Sequence, residues 1–175
     1  AGNVQSTSDI FVLESLAEGA IMNSTSTESS AGSLASGSTD NLRWEIVSPN
    51  TAQGTFSVVI RQGNDKQKSK SVLETFANVS LDPKAPNYIA RIIGDQTQTV
   101  AGSGTDVYLQ TTGDYPNASR YVRVKQVNVK TPDYFDNDGN AKTAFTSSIP
   151  QAQSGSFGDA VGDVVTGGGL SLIHI

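Results

Sequence analysis

Along most of this chain, apolar and polar residues alternate with period two in short stretches, and once they take the wider spacing of a helix. Leu42, Trp44 and Ile46 alternate with Arg43, Glu45 and Val47, which predicts a strand with the tryptophan on its buried face. Ser48-Pro49-Asn50 ends it. From Thr55 to Arg61, Phe56, Val58 and Ile60 share one face, and Ser57, Val59 and Arg61 share the other. Gln62-Gly63-Asn64-Asp65 is turn chemistry, because Gly and Asn tolerate positive φ. It predicts a hairpin with a loop of several residues, whose return strand, Val72 to Phe76, runs into Asn78–Pro83, where Asp82 and Pro83 stop pairing. Ile10–Glu14 predicts an earlier strand, and Gly19–Met22 a second short apolar piece.

Tyr88, Ile89, Ile92 and Ile93 form the helical stripe, with Pro86 tolerable at its entrance and Gly94 placed to end it. Two more strands are expected over Asp106–Thr111 and Arg120–Val129, with a turn at 112–117 between them. Residues 24–39 are nearly all Ser, Thr, Gly and Ala, too poor in large apolar groups to offset the entropy of ordering, and predict a mobile surface loop. From Thr131 onward there is little apolar periodicity. The fold class expected is α/β in the α+β sense: a mixed β-sheet with hairpins, one or a few short helices packed on it, and long polar loops. Residues 1–130 read as one domain and 131–169 as a polar loop or linker toward a further domain.

The last six residues, Leu170-Ser171-Leu172-Ile173-His174-Ile175, follow Gly167-Gly168-Gly169 and look like the translation of a transposase adaptor used in preparing sequencing libraries. The expectation is that the natural sequence stops near Gly169 and that the record is an open-ended fragment. His174, the single histidine, then falls outside the natural protein, and a Ser-His-Asp triad has no base.

Composition narrows the chemistry. Among 175 residues there is no cysteine, which excludes disulfides, thiolate nucleophiles and Cys-ligated metals. Lys and Arg number 12 against 17 Asp and Glu, a net charge of −5 that argues against a nucleic-acid groove. No apolar run is long enough to span a membrane. Asp136, Asp138 and Gly139 would fill inner positions of a calcium loop, but Tyr134 and Phe145 stand where its end carboxylates belong, so a polar turn is expected. Asn23, Asn78 and Asn117 open formal glycosylation tripeptides of a kind that arises by chance in a Ser/Thr-rich chain. Gly102 and Gly104 lack the strand-to-helix setting of a phosphate cradle, and Glu74 and Asp82 are not spaced as a catalytic pair. The expected site inventory is therefore empty: no catalytic, cofactor-binding or metal-binding residues, and no cofactor.

One resemblance is specific. The ordered run Asp40-Asn41-Leu42-Arg43-Trp44-Glu45-Ile46, then Gly54 to Asp65, then Val72 to Pro83, ending Pro86-Asn87-Tyr88-Ile89, resembles the tail sheath protein of contractile-tailed bacteriophages of the T4-like group. The resemblance covers about a third of the chain and implies the middle, subtilisin-like domain of a sheath subunit, without any catalytic triad. It implies a structural, non-enzymatic subunit of the virion tail, assembled in the bacterial host cytoplasm. Such subunits form stacked hexameric rings around a tail tube, and their contraction drives the tube through the host envelope. The implied partners are other sheath subunits, the tail tube protein, the baseplate and the tail terminator, with no direct contact to nucleic acid or membrane. Two alternatives fit the same pattern: the sheath of a related contractile injection system, and a secreted β-rich binding or adhesin module.

Overall fold

The structure is a computed structural model that describes residues 10–16, 42–66, 68–156 and 164–167. In chain order its elements are β1 (Phe11–Ser15), β2 (Leu42–Asn50), β3 (Thr55–Gln62), β4 (Val72–Ser80), α1 (Ile89–Ile93), β5 (Thr97–Ala101), β6 (Tyr108–Thr112), β7 (Val122–Val127), α2 (Thr143–Thr146), β8 (Gln153–Ser156) and β9 (Val164–Gly167). They form three antiparallel sheets, ordered β4-β3-β2-β8, β7-β1-β9 and β5-β6. Sheets and two short helices make this an α+β protein, as the alternation predicts.

The period-two pattern fixes which faces meet. Trp44 and Ile46 of β2, Phe56, Val58 and Ile60 of β3, and Phe11 and Leu13 of β1 join Ile89 and Ile93 of α1 in one apolar cluster. Phe11 stacks on Phe56 with ring centres 5.6 Å apart, which ties the two larger sheets together. The helix is a single turn of the expected stripe. It stops where Gly94 takes φ +104°, and the Gly94 N–H donates to the Ala90 carbonyl at 2.9 Å. The return strand β4 runs past the expected Phe76 to Ser80 because a bulge opposite Ser57 lets pairing continue. Asn78 has φ +53° there, and its N–H donates to Ser57 Oγ at 3.3 Å.

The β2–β3 turn shows why a glycine sits at its end. Asn50 Oδ1 accepts from the N–H groups of Ala52 and Gln53, and the Gly54 N–H donates to the Asn50 carbonyl at 2.8 Å. Gly54 has φ +69°, and a Cβ there would lie 2.8 Å from the Tyr134 ring. Gly54→Ala therefore meets both backbone strain and a steric clash. It is expected to destabilise the fold by about 1 to 3 kcal/mol, read as a lower urea midpoint with the slope unchanged.

Two stretches with little apolar periodicity also contribute strands. Thr97–Ala101 pairs as a strand although it carries almost no apolar alternation; its β-branched threonines suit a pleated ribbon, and Thr97 and Thr112 share a 2.7 Å hydroxyl hydrogen bond across it. Within 131–169, the stretch expected to be a polar loop or linker toward a further domain, β8 pairs with β2, β9 pairs with β1, and Thr131, Tyr134 and Ile149 are buried. Its anchors are single residues separated by polar runs, a pattern with no period to detect. The Tyr134 hydroxyl donates to the Thr51 carbonyl at 2.5 Å, which fastens this stretch to the β2–β3 turn. The 24–39 loop, the Gly19–Met22 piece and residues 170–175 lie outside the described residues.

Candidate functional site

The polar faces of β2 and β3 are buried too. Arg43 and Arg61 face each other directly across the β2–β3 ladder and are both 0% exposed. Like charges in that position repel. The turn that follows β3 resolves the conflict by folding Asp65 back between them. Its Oδ1 accepts from Arg43 NH1 at 2.9 Å and from Arg61 NH2 at 3.0 Å. Its Oδ2 accepts from Arg61 Nε at 2.6 Å and from the Ser71 N–H at 3.1 Å. Arg43 NH1 also reaches the Asp65 carbonyl at 3.1 Å. On the same face Glu45 accepts from Arg61 NH1 at 3.4 Å and from Lys70 Nζ at 2.6 Å.

This network joins β2, β3 and both ends of the β3–β4 loop through charge-assisted bonds. Asp65 is saturated by donors and has no lone pair positioned to take a substrate proton, so the arrangement suits holding strands in register rather than general-base chemistry. Two further side-chain bonds lie outside this network, one between neighbouring strands of the β7-β1-β9 sheet and one reaching β4 of the other. Arg123 of β7 donates to Glu14 of β1 at 2.9 Å, and Ser119 donates to Glu74 of β4 at 2.5 Å while accepting the N–H groups of Tyr121 and Val122.

Surface clefts lie elsewhere among the described residues. One of about 310 Å³ is lined by Tyr88, Asp95, Asp114 and Tyr115 among others. The other, of about 480 Å³, lies between the β5–β6 ribbon and β1 and β7, where Thr97, Thr99 and Thr112 face Glu14 and Arg123. Burial raises the Tyr88 hydroxyl above the ordinary tyrosine value of 10.0, and Tyr115, Asp95 and Asp114 add to the shift. The unfolded chain therefore releases this proton first. Stability is retained below about pH 10 and falls as the pH rises beyond it. Tyr88→Phe is expected to flatten that alkaline loss, measured as urea midpoints between about pH 9 and pH 11.

The residues weighed in the sequence stay apart. Asp136 Oδ1 accepts from the N–H groups of Asp138 and Asn140, each at 2.9 Å, which is a polar turn. Glu74 holds Ser119 and the Arg120 N–H, whereas Asp82 accepts the Lys84 N–H. The Asn117 side chain bonds the N–H and carbonyl of Gln96, closing the base of the β5–β6 ribbon, and Gly102 and Gly104 lie in the connection at its far end. Asn23 and His174 lie outside the described residues. Among the described residues no cluster of His, Cys, Asp or Glu is arranged to hold a metal ion, and no helix is long and apolar enough to cross a membrane. The Arg43–Asp65–Arg61 network is what the sequence reading missed. Its signal was the pair of arginines in register on β2 and β3, with an aspartate in the turn that follows.

No protein-family model, curated protein or solved structure matches the chain.

Proposed function

We propose that this chain is part of a structural subunit of a contractile phage tail sheath, built to transmit force between stacked rings rather than to catalyse a reaction. The observation that carries the reading is the ordered resemblance from Asp40 to Ile89. Within the described residues, that run makes up β2, β3, β4 and the first residue of α1, a contiguous part of the core. The charged network supports the same reading, because a subunit that shifts between two packings must move as a rigid body while its interfaces change. Salt-bridged strands resist shear along the ladder. In this reading there is no cofactor, the partners are further subunits, tube, baseplate and tail terminator, and the location is the virion tail.

The test is assembly by the complete polypeptide that contains this chain. Purified at high concentration, it is expected to form hollow tubes visible by negative-stain electron microscopy. Discrete monomers under those conditions would remove the reading. Capsid and terminase genes beside its own would mark a phage, and their absence beside tube and baseplate genes would mark a related injection device. One observation favours a binding module instead: the hydroxyl-lined 480 Å³ cleft suits a sugar. Saturable binding on a glycan array, lost on Thr99→Val, would select that alternative.

A further inference from the structure

The β5–β6 ribbon wears its faces the wrong way round. Residues directly opposite each other in an antiparallel ladder share a face, so Thr97/Thr112, Thr99/Gln110 and Ala101/Tyr108 lie on one side, and Gln98/Thr111 and Val100/Leu109 on the other. Thr97, Thr99 and Thr112 line the cleft against β1 and β7, which makes the hydroxyl side the inner one. Val100 and Leu109 face outward at 72% and 64% exposed, with Val107 beside them at 57%. A ribbon meant to meet only water would carry its aliphatic groups inward.

Charge says what covers this face. Between Arg91 and Arg120 the only charged residues are Asp95, Asp106 and Asp114. The β3–β4 loop is the opposite: it presents Lys66 and Lys68 to solvent, with Lys70 beside them, and leads straight into exposed Val72 and Leu73. We propose that the outer face of the β5–β6 ribbon docks on the β3–β4 loop and the start of β4 of a second copy of this chain, aliphatic on aliphatic and Asp106 toward Lys66 and Lys68.

The two patches differ, so the contact is head-to-tail and propagates from copy to copy. Its size agrees with that. Strands of five residues are about 17 Å long and about 5 Å apart, a footprint well below the roughly 800 Å² per partner of a stable dimer. The contact is one element of a repeated assembly and does not hold a pair by itself. The choice of a second copy rests on the sheath reading, and the experiment separates the two.

The absence of cysteine makes the test clean. A Leu109→Cys chain and a Leu73→Cys chain are mixed at high concentration with a short bis-maleimide crosslinker. A crosslinked dimer is expected in the mixture and in neither sample alone, and a chain carrying both substitutions is expected to give a ladder. Thr99→Cys, on the inner face, is expected to give no product with Leu73→Cys. Lys68→Glu should lower the mixed yield at least fivefold, and Asp106→Lys in the other chain should restore it. Absence of a mixed product, equal crosslinking through Thr99→Cys, or self-crosslinking of Leu109→Cys would each overturn the proposal. A variant whose melting curve shows misfolding is replaced by Val107→Cys or Val72→Cys at the same patches. A mixed product from a chain whose complete polypeptide forms no tubes keeps the contact and removes the sheath reading. Tubes that the paired cysteines fail to crosslink remove the contact alone.

Discussion

Asp65→Ala is expected to lower stability by about 3 to 5 kcal/mol, a large part of a domain's ordinary margin. The loss exceeds the worth of the bonds removed. Deleting the carboxylate leaves Arg43 and Arg61, both 0% exposed, opposed across the ladder without the anion between them. The Ser71 N–H loses its acceptor as well, so the start of β4 is released. Asp65→Asn keeps the shape and part of the hydrogen bonding but not the charge, and should fall between the wild type and the alanine variant. Urea denaturation followed by circular dichroism gives the order directly. An alanine variant with an unchanged midpoint would show that the arginines are held elsewhere and that the network is decoration.

Trp44→Ala should cost a similar amount, about 3 to 5 kcal/mol, for a different reason. Trp44 is 7% exposed in the cluster shared by β2 and β3, and its removal opens a cavity that neighbouring strands cannot close without breaking register. Its Nε1 finds no hydrogen-bond partner among the described residues, so the indole contributes through packing. Trp44→Phe keeps most of that volume and is expected to cost clearly less than the alanine variant. Because the substitutions remove the only tryptophan, the measurement again uses circular dichroism in urea. Equal losses for Phe and Ala would show that the indole nitrogen, not the packed surface, matters at this position.

The sequence was most readable where burial and period coincide. Trp44, Phe56, Val58 and Ile60 repeat every second residue, and Ile89 and Ile93 return after a helical turn, because one packed face imposes one spacing. Readability failed in three places. Arg43 and Arg61 look like a solvated face, since a charged side chain is ordinarily outside; they are inside because Asp65 bridges them and Glu45 pairs Arg61 as well, and Asp65 reaches them only after the turn has formed. Tyr134 and Ile149 are buried as isolated anchors, and a single apolar residue in a polar run has no periodicity. In the β5–β6 ribbon, β6 falls within a stretch expected as a strand, whereas β5 was not anticipated, because its alternation is weak and its aliphatic side points away from the body of the protein.

Strand β1 carries a consequence for the order in which the molecule is made. It lies in the middle of its sheet, between β7 and β9, yet it precedes both in the chain. Glu14 must wait for Arg123, 109 positions later, and the strand's other edge waits longer still for β9. During synthesis the hairpin of β2, β3 and β4 can close as soon as Asp65 and the return strand emerge, whereas β1 stays without its ladder partners until the last third of the chain is out. Contacts closed over such distances are slow to form. An apolar strand waiting with both edges open is the segment most exposed to mispairing with another nascent chain. Slow refolding limited by β1, with early protection of the β2–β4 amides in pulsed hydrogen exchange, is the kinetic signature expected of this topology.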